Sequence, residues 1–253
     1  MALKERTLFG SVDKVEDSLA LIWDHRPEAK NDPEPRYWVG CSGGKDSSVV
    51  EDLVMKTEVK AEFHYNQTTI DPPLLIYHLR KYYPHVVWDR PKRPFLKALI
   101  TSGAPGVRFP WCCSQYKEKG GGGRTCLLGI RRDESENRKD RKFVELCYQD
   151  SSKQIINPIL TWTDAEVWEY IRKNNIPYCS LYDEGFKRLG CLFCPKKSVE
   201  ERLKDVERYP RYAKLFIKYF QYRVDYCDER GLTQAGKWKD GEQFFNKWIR
   251  SYG

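Results

Sequence analysis

Short apolar, β-prone runs alternate with helix-length amphipathic stretches through most of this 253-residue chain. Tyr37 to Val39 predicts a first strand and Ser47 to Lys56 the helix after it. Val59 to Tyr65 predicts a second strand, and Asp71-Pro72-Pro73 opens a helix through Tyr82, with proline in its first turn. Val86-Val87-Trp88 is a short third strand, and Phe95 to Ser102 a helix closed by Gly103. Four glycines, Gly120 to Gly123, form a flexible connection before a strand over Thr125 to Ile130. Thr163-Asp164-Ala165-Glu166 matches a capping box and starts a helix toward Asn174. Strands separated by helix-length patterns predict an α/β fold, a doubly wound, mainly parallel sheet with ligands beyond the carboxyl ends of its strands. Residues 1–35 are polar and helical at best, with Asn31-Asp32-Pro33-Glu34-Pro35 as the breaker before the first strand. The sheet domain then covers residues 36–197. Residues 198–253 form a helical extension, opened by a second capping box at Ser198-Val199-Glu200-Glu201 and divided at Tyr209-Pro210.

The last long helix carries Tyr212, Phe216, Tyr219, Phe220 and Arg223 at helical spacing. The preferred expectation is an aromatic face docked on the core. The alternative interleaves Arg211, Lys214, Lys218 and Arg223 with those rings for nucleic-acid contact.

Hydrophobic residues at 40% and charged residues at 32% suit a soluble globular protein. No apolar run approaches the roughly 20 residues of a membrane span, so no membrane association is expected. The opening Met-Ala-Leu-Lys-Glu-Arg-Thr lacks the apolar core of a secretory signal. Nine cysteines without an export signal point to the cytoplasm, and to metal or redox chemistry rather than disulfides. A net charge of +8 favours polyanionic partners.

The segment Trp38-Val39-Gly40-Cys41-Ser42-Gly43-Gly44-Lys45-Asp46-Ser47-Ser48 runs from the first strand into the following helix. Glycines let backbone N–H groups approach an anion, and the helix start adds unpaired donors and a positive dipole end. Ser42, Ser47 and Ser48 offer hydroxyls, and Lys45 a compact positive charge. Together these suit a pyrophosphate, although the order is not the Walker pattern. The string resembles the PP-loop, Ser-Gly-Gly-x-Asp-Ser, of the N-type ATP pyrophosphatases. That resemblance implies ATP cleaved between its α and β phosphates, with Mg²⁺ bridging the phosphates. Lys45, Asp46 and Ser47 would then be the catalytic set within a nucleotide site formed by Ser42, Gly43, Gly44 and Ser48.

Four of the cysteines form a pattern: Cys112-Cys113 are adjacent, and Cys191-Leu192-Phe193-Cys194 is a C-x-x-C closed by Pro195. Four thiolates hold either a [4Fe–4S] cluster or a tetrahedral Zn²⁺. Adjacent cysteines are awkward for a single zinc ion, because their side chains normally point apart, and a cubane with separated iron corners is the preferred reading. A persulfide relay and plain core thiols remain open. The set is similar to the cluster-binding cysteines of assimilatory adenylylsulfate reductases. Cys41, beside the phosphate loop, is a candidate sulfur carrier.

The third feature, Gly129-Ile130-Arg131-Arg132-Asp133-Glu134-Ser135-Glu136-Asn137-Arg138, gathers arginines around one Glu-Ser pair. Arginine's planar fork binds phosphate or sulfate oxygens in bidentate fashion. Its spacing resembles a motif of the phosphoadenosine phosphosulfate (PAPS) reductase family. By that resemblance Gly129, Arg131, Glu134, Ser135 and Arg138 would line the nucleotide site. Three motifs in order identify the chain as a member of that family of adenine-nucleotide α-hydrolase-like, Rossmann-like proteins, which implies a five- or six-stranded parallel sheet.

The reductases of the family carry a Glu-Cys-Gly-Leu-His segment whose cysteine attacks sulfur. Trp238 to Gly253 contains no cysteine, and Cys227 lies in a different context, so reductase activity is not expected. Asn66 to Asp71 also lacks the family's Leu-Asp-Thr-Gly. The general layout resembles the ATP pyrophosphatases of DNA phosphorothioation, of the Dnd and Ssp types. That implies adenylation of a DNA backbone oxygen and sulfur supplied by a partner cysteine desulfurase. The competing expectations are tRNA thiolation, sulfonucleotide (APS/PAPS) reduction through Cys227, and a non-catalytic nucleotide-binding scaffold.

Overall fold

The computed structural model describes residues 3–7, 10–28 and 36–251; the breaker Asn31 to Pro35 lies outside them. The elements run β1 (Lys4–Thr7), β2 (Gly10–Asp13), α1 (Lys14–Asp24), β3 (Tyr37–Gly40), α2 (Lys45–Lys56), β4 (Ala61–Asn66), α3 (Pro73–Tyr82), β5 (Val87–Asp89) and α4 (Phe95–Ser102). They continue with β6 (Thr125–Leu127), β7 (Val144–Leu146), β8 (Gln154–Ile156), α5 (Asp164–Lys173), α6 (Val199–Arg208), α7 (Pro210–Glu229) and α8 (Gly241–Arg250).

Two compact units emerge, and neither is contiguous in sequence. The first comprises residues 1–66, 73–89 and 120–189; the second comprises 67–72, 90–119 and 190–253. These units cut across the boundary expected at 197. Both cysteine segments fold with the C-terminal helices rather than with the sheet, because their backbones hydrogen-bond within the second unit.

In the first unit a six-stranded sheet has the order β5-β4-β3-β6-β8-β7. All neighbours are parallel except β7, which runs antiparallel to β8 at one edge. The expected doubly wound, mainly parallel α/β sheet is thus present, with an edge strand that the pattern did not predict. Tyr37 and Val39 of β3 are fully buried, as suits a central strand covered on both faces. Chain order reverses beside β3, so the loop after it sits at the switch point where such sheets bind ligands. Residues 1–35 were expected to be helical. Their described part instead pairs β1 with β2 antiparallel before α1, whose N-terminus Asp13 caps through the Val15 and Glu16 amides.

The second unit packs α4, α6 and α8 around α7. Phe216 and Phe220 of α7 are fully buried against Phe245 and Trp248 of α8. Both predicted capping boxes form, at Thr163 and Ser198. The aromatic face of α7 therefore docks inward. Arg223, grouped earlier with possible nucleic-acid contacts, is buried and donates to the carbonyls of Ile100 and Thr101.

His78 of α3 is 4% exposed, packs against the rings of Tyr82 and Tyr83, and has no hydrogen-bond partner at Nε2 among the described residues. Burial lowers its pKa to about 4. The unfolded chain, with an ordinary histidine near 6.5, takes up a proton that the folded chain refuses. Stability present above pH 6.5 is therefore lost as pH falls toward 4. Thermal denaturation should show this decline, and His78→Phe should flatten it.

Candidate functional site

At the end of β3 the chain turns through Gly43, whose φ of +71° is open to glycine at low cost. A Cβ there would also stand 2.7 Å from a Leu75 methyl. Helix α2 then begins with Gly44 at its N-cap and no side-chain cap. The serines bond among themselves: Ser47 Oγ accepts from the Ser42 amide (3.2 Å), lies 3.0 Å from Ser42 Oγ, and donates to the Gly44 carbonyl (2.9 Å). Ser48 is buried. The Lys45 amide donates to the Tyr182 hydroxyl at 2.9 Å.

The Lys45 side chain is only 6% exposed, and its ammonium pairs with Asp46 Oδ2 and Asp164 Oδ1, each at 3.0 Å. Arg131, 2% exposed, grips the same two carboxylates: Nε bonds Asp46 Oδ1 at 2.5 Å and Nη2 bonds Asp164 Oδ1 at 3.0 Å. Nη1 reaches the Trp162 carbonyl (3.2 Å) and Asp133 (3.4 Å). Gly129 allows this closeness, because a Cβ there would lie 2.8 Å from the Asp46 carbonyl carbon and 2.9 Å from the Ser47 nitrogen.

The structure thus brings Ser42 to Ser48, Gly129 and Arg131 into one assembly, with a changed role for Arg131. Its guanidinium is committed to bracing the loop rather than turned outward for phosphate. Glu134 pairs with Arg138 and lies 3.7 Å from Arg188, while Ser135 is exposed. Burial and the neighbouring charges of Arg188 and Arg141 lower the Arg138 pKa to about 10, which leaves it charged at neutral pH. Asp164 and Tyr182 were missed as site residues. Asp164 was legible only as part of a capping box, and nothing in the sequence marked Tyr182.

The four patterned cysteines line one recess in the second unit, with about 400 Å³ of empty volume including the part open to solvent. Its other walls include Thr68, Phe95, Lys117, Phe193 and Trp248. A π-helical turn, Cys113–Lys117, carries the first pair. Among the described residues, no three His, Cys, Asp or Glu side chains are gathered closely around a point that would hold a single metal ion. Cys112 and Cys113 titrate as a pair. The Cys113 pKa falls to about 6, first through the hydrogen bond from Cys112 and then through Lys196 and Lys117, whereas that of Cys112 rises. Burial pushes the Cys191 thiol up. The pKa of Lys117 is raised, chiefly by the neighbouring Cys191 sulfur.

The C-x-x-C turn is held from α6. Asp205, 1% exposed, accepts from the Phe193 amide (2.9 Å) and from the Lys197 ammonium (2.7 Å). Phe193 has a φ of +57° and a fully buried ring against Phe216 and Phe245. A non-glycine residue in that region costs roughly 1–3 kcal/mol, so the contacts around Phe193 must hold it there. The Leu192 amide donates to the Ile70 carbonyl, and Asp71 accepts from both the amide and the hydroxyl of Thr68. The segment 67–72 therefore braces the cysteine recess.

Cys41 is 2% exposed, and burial, followed by the nearby Glu51, holds its thiol well above the ordinary range. That environment argues against the sulfur-carrier expectation. Cys227 is likewise buried, 1% exposed in α7, and offers no accessible nucleophile.

The sequence pattern of the phosphoadenosine phosphosulfate reductase domain matches residues 36–197. The chain belongs to the PAPS reductase domain family. It is 31% identical over 251 residues to an uncharacterised protein of Methanocaldococcus jannaschii, covering 90% of this chain and 58% of that protein. It is 28% identical over 175 residues to the adenosine 5'-phosphosulfate reductase of Staphylococcus haemolyticus, covering 61% of this chain and 68% of the enzyme. The chain thus spans little more than half of the archaeal relative's length. Among solved structures, the phosphoadenylyl-sulfate reductase of Candida auris in its phosphate complex superposes with a TM-score of 0.52 at 19% identity. That match covers 69% of this chain and 88% of the other, and shows the shared fold.

Within this PAPS reductase domain two outcomes are expected. Gly129→Ala should destabilise the protein by about 1–3 kcal/mol through overpacking and weaken nucleotide binding. Gly106→Ala, at a position with no atom within 4 Å of the added methyl, should do neither; thermal denaturation and nucleotide titration read both. In metal-free protein, Cys113 should be alkylated at lower pH than Cys112, since the thiolate is the reacting form and the Cys113 pKa is lowered while that of Cys112 is raised. Mass-spectrometric mapping of iodoacetamide labelling against pH tests this.

Proposed function

We propose that this protein is an ATP pyrophosphatase that adenylates a nucleic-acid acceptor for sulfur insertion, with DNA backbone phosphorothioation as the preferred acceptor chemistry. One observation carries the reading. The uncapped start of α2, turned through Gly43 and Gly44, holds the Lys45 ammonium in place between Asp46 and Asp164. Helix-start amides, a positive dipole end and a fixed cation suit a leaving pyrophosphate.

An acceptor oxygen attacks the α phosphorus of ATP, the bond to the α–β bridging oxygen breaks, and pyrophosphate departs. Lys45 and the loop amides stabilise the charge developing on it. Both oxygens of Asp46 are engaged by cations, so its task is to orient Lys45. The exposed carboxylates of Asp133 and Asp164 are the oxygen donors available for Mg²⁺, which would neutralise phosphate charge. Sulfur from the persulfide of a partner cysteine desulfurase then displaces AMP from the acceptor, and a thiol reductant frees the product.

The four cysteines lining the recess support a [4Fe–4S] cluster as its occupant. Four thiols surround one space, Cys113 ionises readily, and Lys117 and Lys196 offset thiolate charge. When bound, the cluster would supply electron transfer or sulfur relay. Cys112, Cys113, Cys191 and Cys194 would hold it; among the described residues they are not gathered around one point, as the alternative Zn²⁺ would require. The similarity to adenosine 5'-phosphosulfate reductases supports a second reading, sulfonucleotide reduction, although burial of Cys227 removes that thiol as its nucleophile.

Anaerobic incubation with α-labelled ATP, Mg²⁺ and DNA, tRNA or adenylylsulfate in turn tests the assignment. AMP and pyrophosphate are expected in equal amounts, with Lys45→Ala about 10²–10³-fold slower. ADP and phosphate would overturn it, and thiol-dependent sulfite release from adenylylsulfate would favour the reductase.

A further inference from the structure

The outward face of α7 has no role in the chemistry above. The helix separates its aromatics: Phe216 and Phe220 point inward, while Tyr222 is 41% exposed and Tyr212 and Tyr219 are half-exposed. Arg211, Lys214, Leu215 and Lys218 are exposed beside them. From Arg208 to Val224 the chain contains no aspartate or glutamate. The ribbon from Arg211 to Tyr222 extends about 16 Å at 1.5 Å per residue. The Lys218 ammonium lies 5.7 Å from the centre of the Tyr222 ring, which meets Tyr219 edge-on at 5.5 Å.

We infer that this ribbon of α7 is a docking surface for a nucleic-acid strand with unstacked bases, a proposal that rests on the nucleic-acid acceptor proposed above. The charge is complementary to a phosphodiester backbone, and no carboxylate in this part of the helix opposes it. Tyrosine faces add what an acidic peptide would not need, since any base can stack on them. Arg211, Lys214 and Lys218 recur along one side and would follow the backbone, with Tyr222 and Tyr219 as the stacking platform. Stacking without a hydrogen-bond code implies weak sequence preference.

Fluorescence anisotropy with the full chain and labelled oligothymidylate and oligouridylate, titrated across salt concentrations, tests the surface. Three phosphate contacts predict that the triple variant Arg211→Ala, Lys214→Ala, Lys218→Ala lowers the magnitude of the log–log salt slope by about 2. Tyr222→Ala should weaken binding about 5- to 100-fold. Circular dichroism checks that α7 remains folded in each variant. Wild-type affinity and slope in the triple variant would overturn the proposal, as would equal competition by polyglutamate or binding of duplex alone. ATP cleavage is measured in parallel. Binding that is lost with α7 while AMP and pyrophosphate still form supports the surface. Strand binding at α7 without any ATP cleavage rejects the pyrophosphatase and leaves the surface standing.

Discussion

The Asp46 carboxylate is the tie on which the geometry of the glycine-rich loop depends. One oxygen is held by Arg131 from the strand-end segment and the other by Lys45 of its own helix; Asp164 at the start of α5 completes the set. Three segments distant in sequence are thereby fixed around the start of α2. Removing one partner of a buried pair commonly costs about 3–5 kcal/mol, because the remaining charge is left uncompensated. Arg131 is 2% exposed, so the penalty at its side of the tie should approach that range. In the reaction proposed above, Lys45 would be positioned in advance, and little reorganisation would be needed as charge develops on a leaving phosphate.

A comparable tie organises the second unit. Asp205 of α6 restrains the C-x-x-C turn through the Phe193 amide, while the Phe193 ring is clamped between α7 and α8. Arg202, one turn earlier, bonds the carbonyls of Trp248 and Ser251 at the end of α8. Trp248 lines the recess and donates its indole N–H to the Pro105 carbonyl. The helices that follow the family domain are therefore part of the wall around the cysteines. The same α7 turns its phenylalanines toward that wall and its tyrosines and cations toward solvent.

Local signals in the sequence were sufficient for β3, α2, α3 and both capping boxes, because a strand, a proline turn or a cap is decided within a few residues. The glycine-rich loop and the Cys-Cys and C-x-x-C pairs were legible for the same reason: each motif carries its own spacing. The short strands β7 and β8 went unpredicted, and the polar hairpin of β1 and β2 was read as helical. Strands of three or four residues show too little periodicity to stand out and are stabilised by their neighbours in the sheet.

Sequence alone determined the parallel α/β class, the glycine-rich turn from Ser42 to Ser47 into a helix and the grouping of four cysteines. Tertiary structure decided that Arg131 braces the loop, that Asp164 and Tyr182 belong to it, and that Cys41 and Cys227 are sealed from solvent. It also decided that residues 67–72 and 90–119 fold with the C-terminal helices. The physical reason is the range of the forces. Backbone propensity and capping act over a few residues, whereas burial and charge pairing depend on which distant segments the fold brings within a few ångströms.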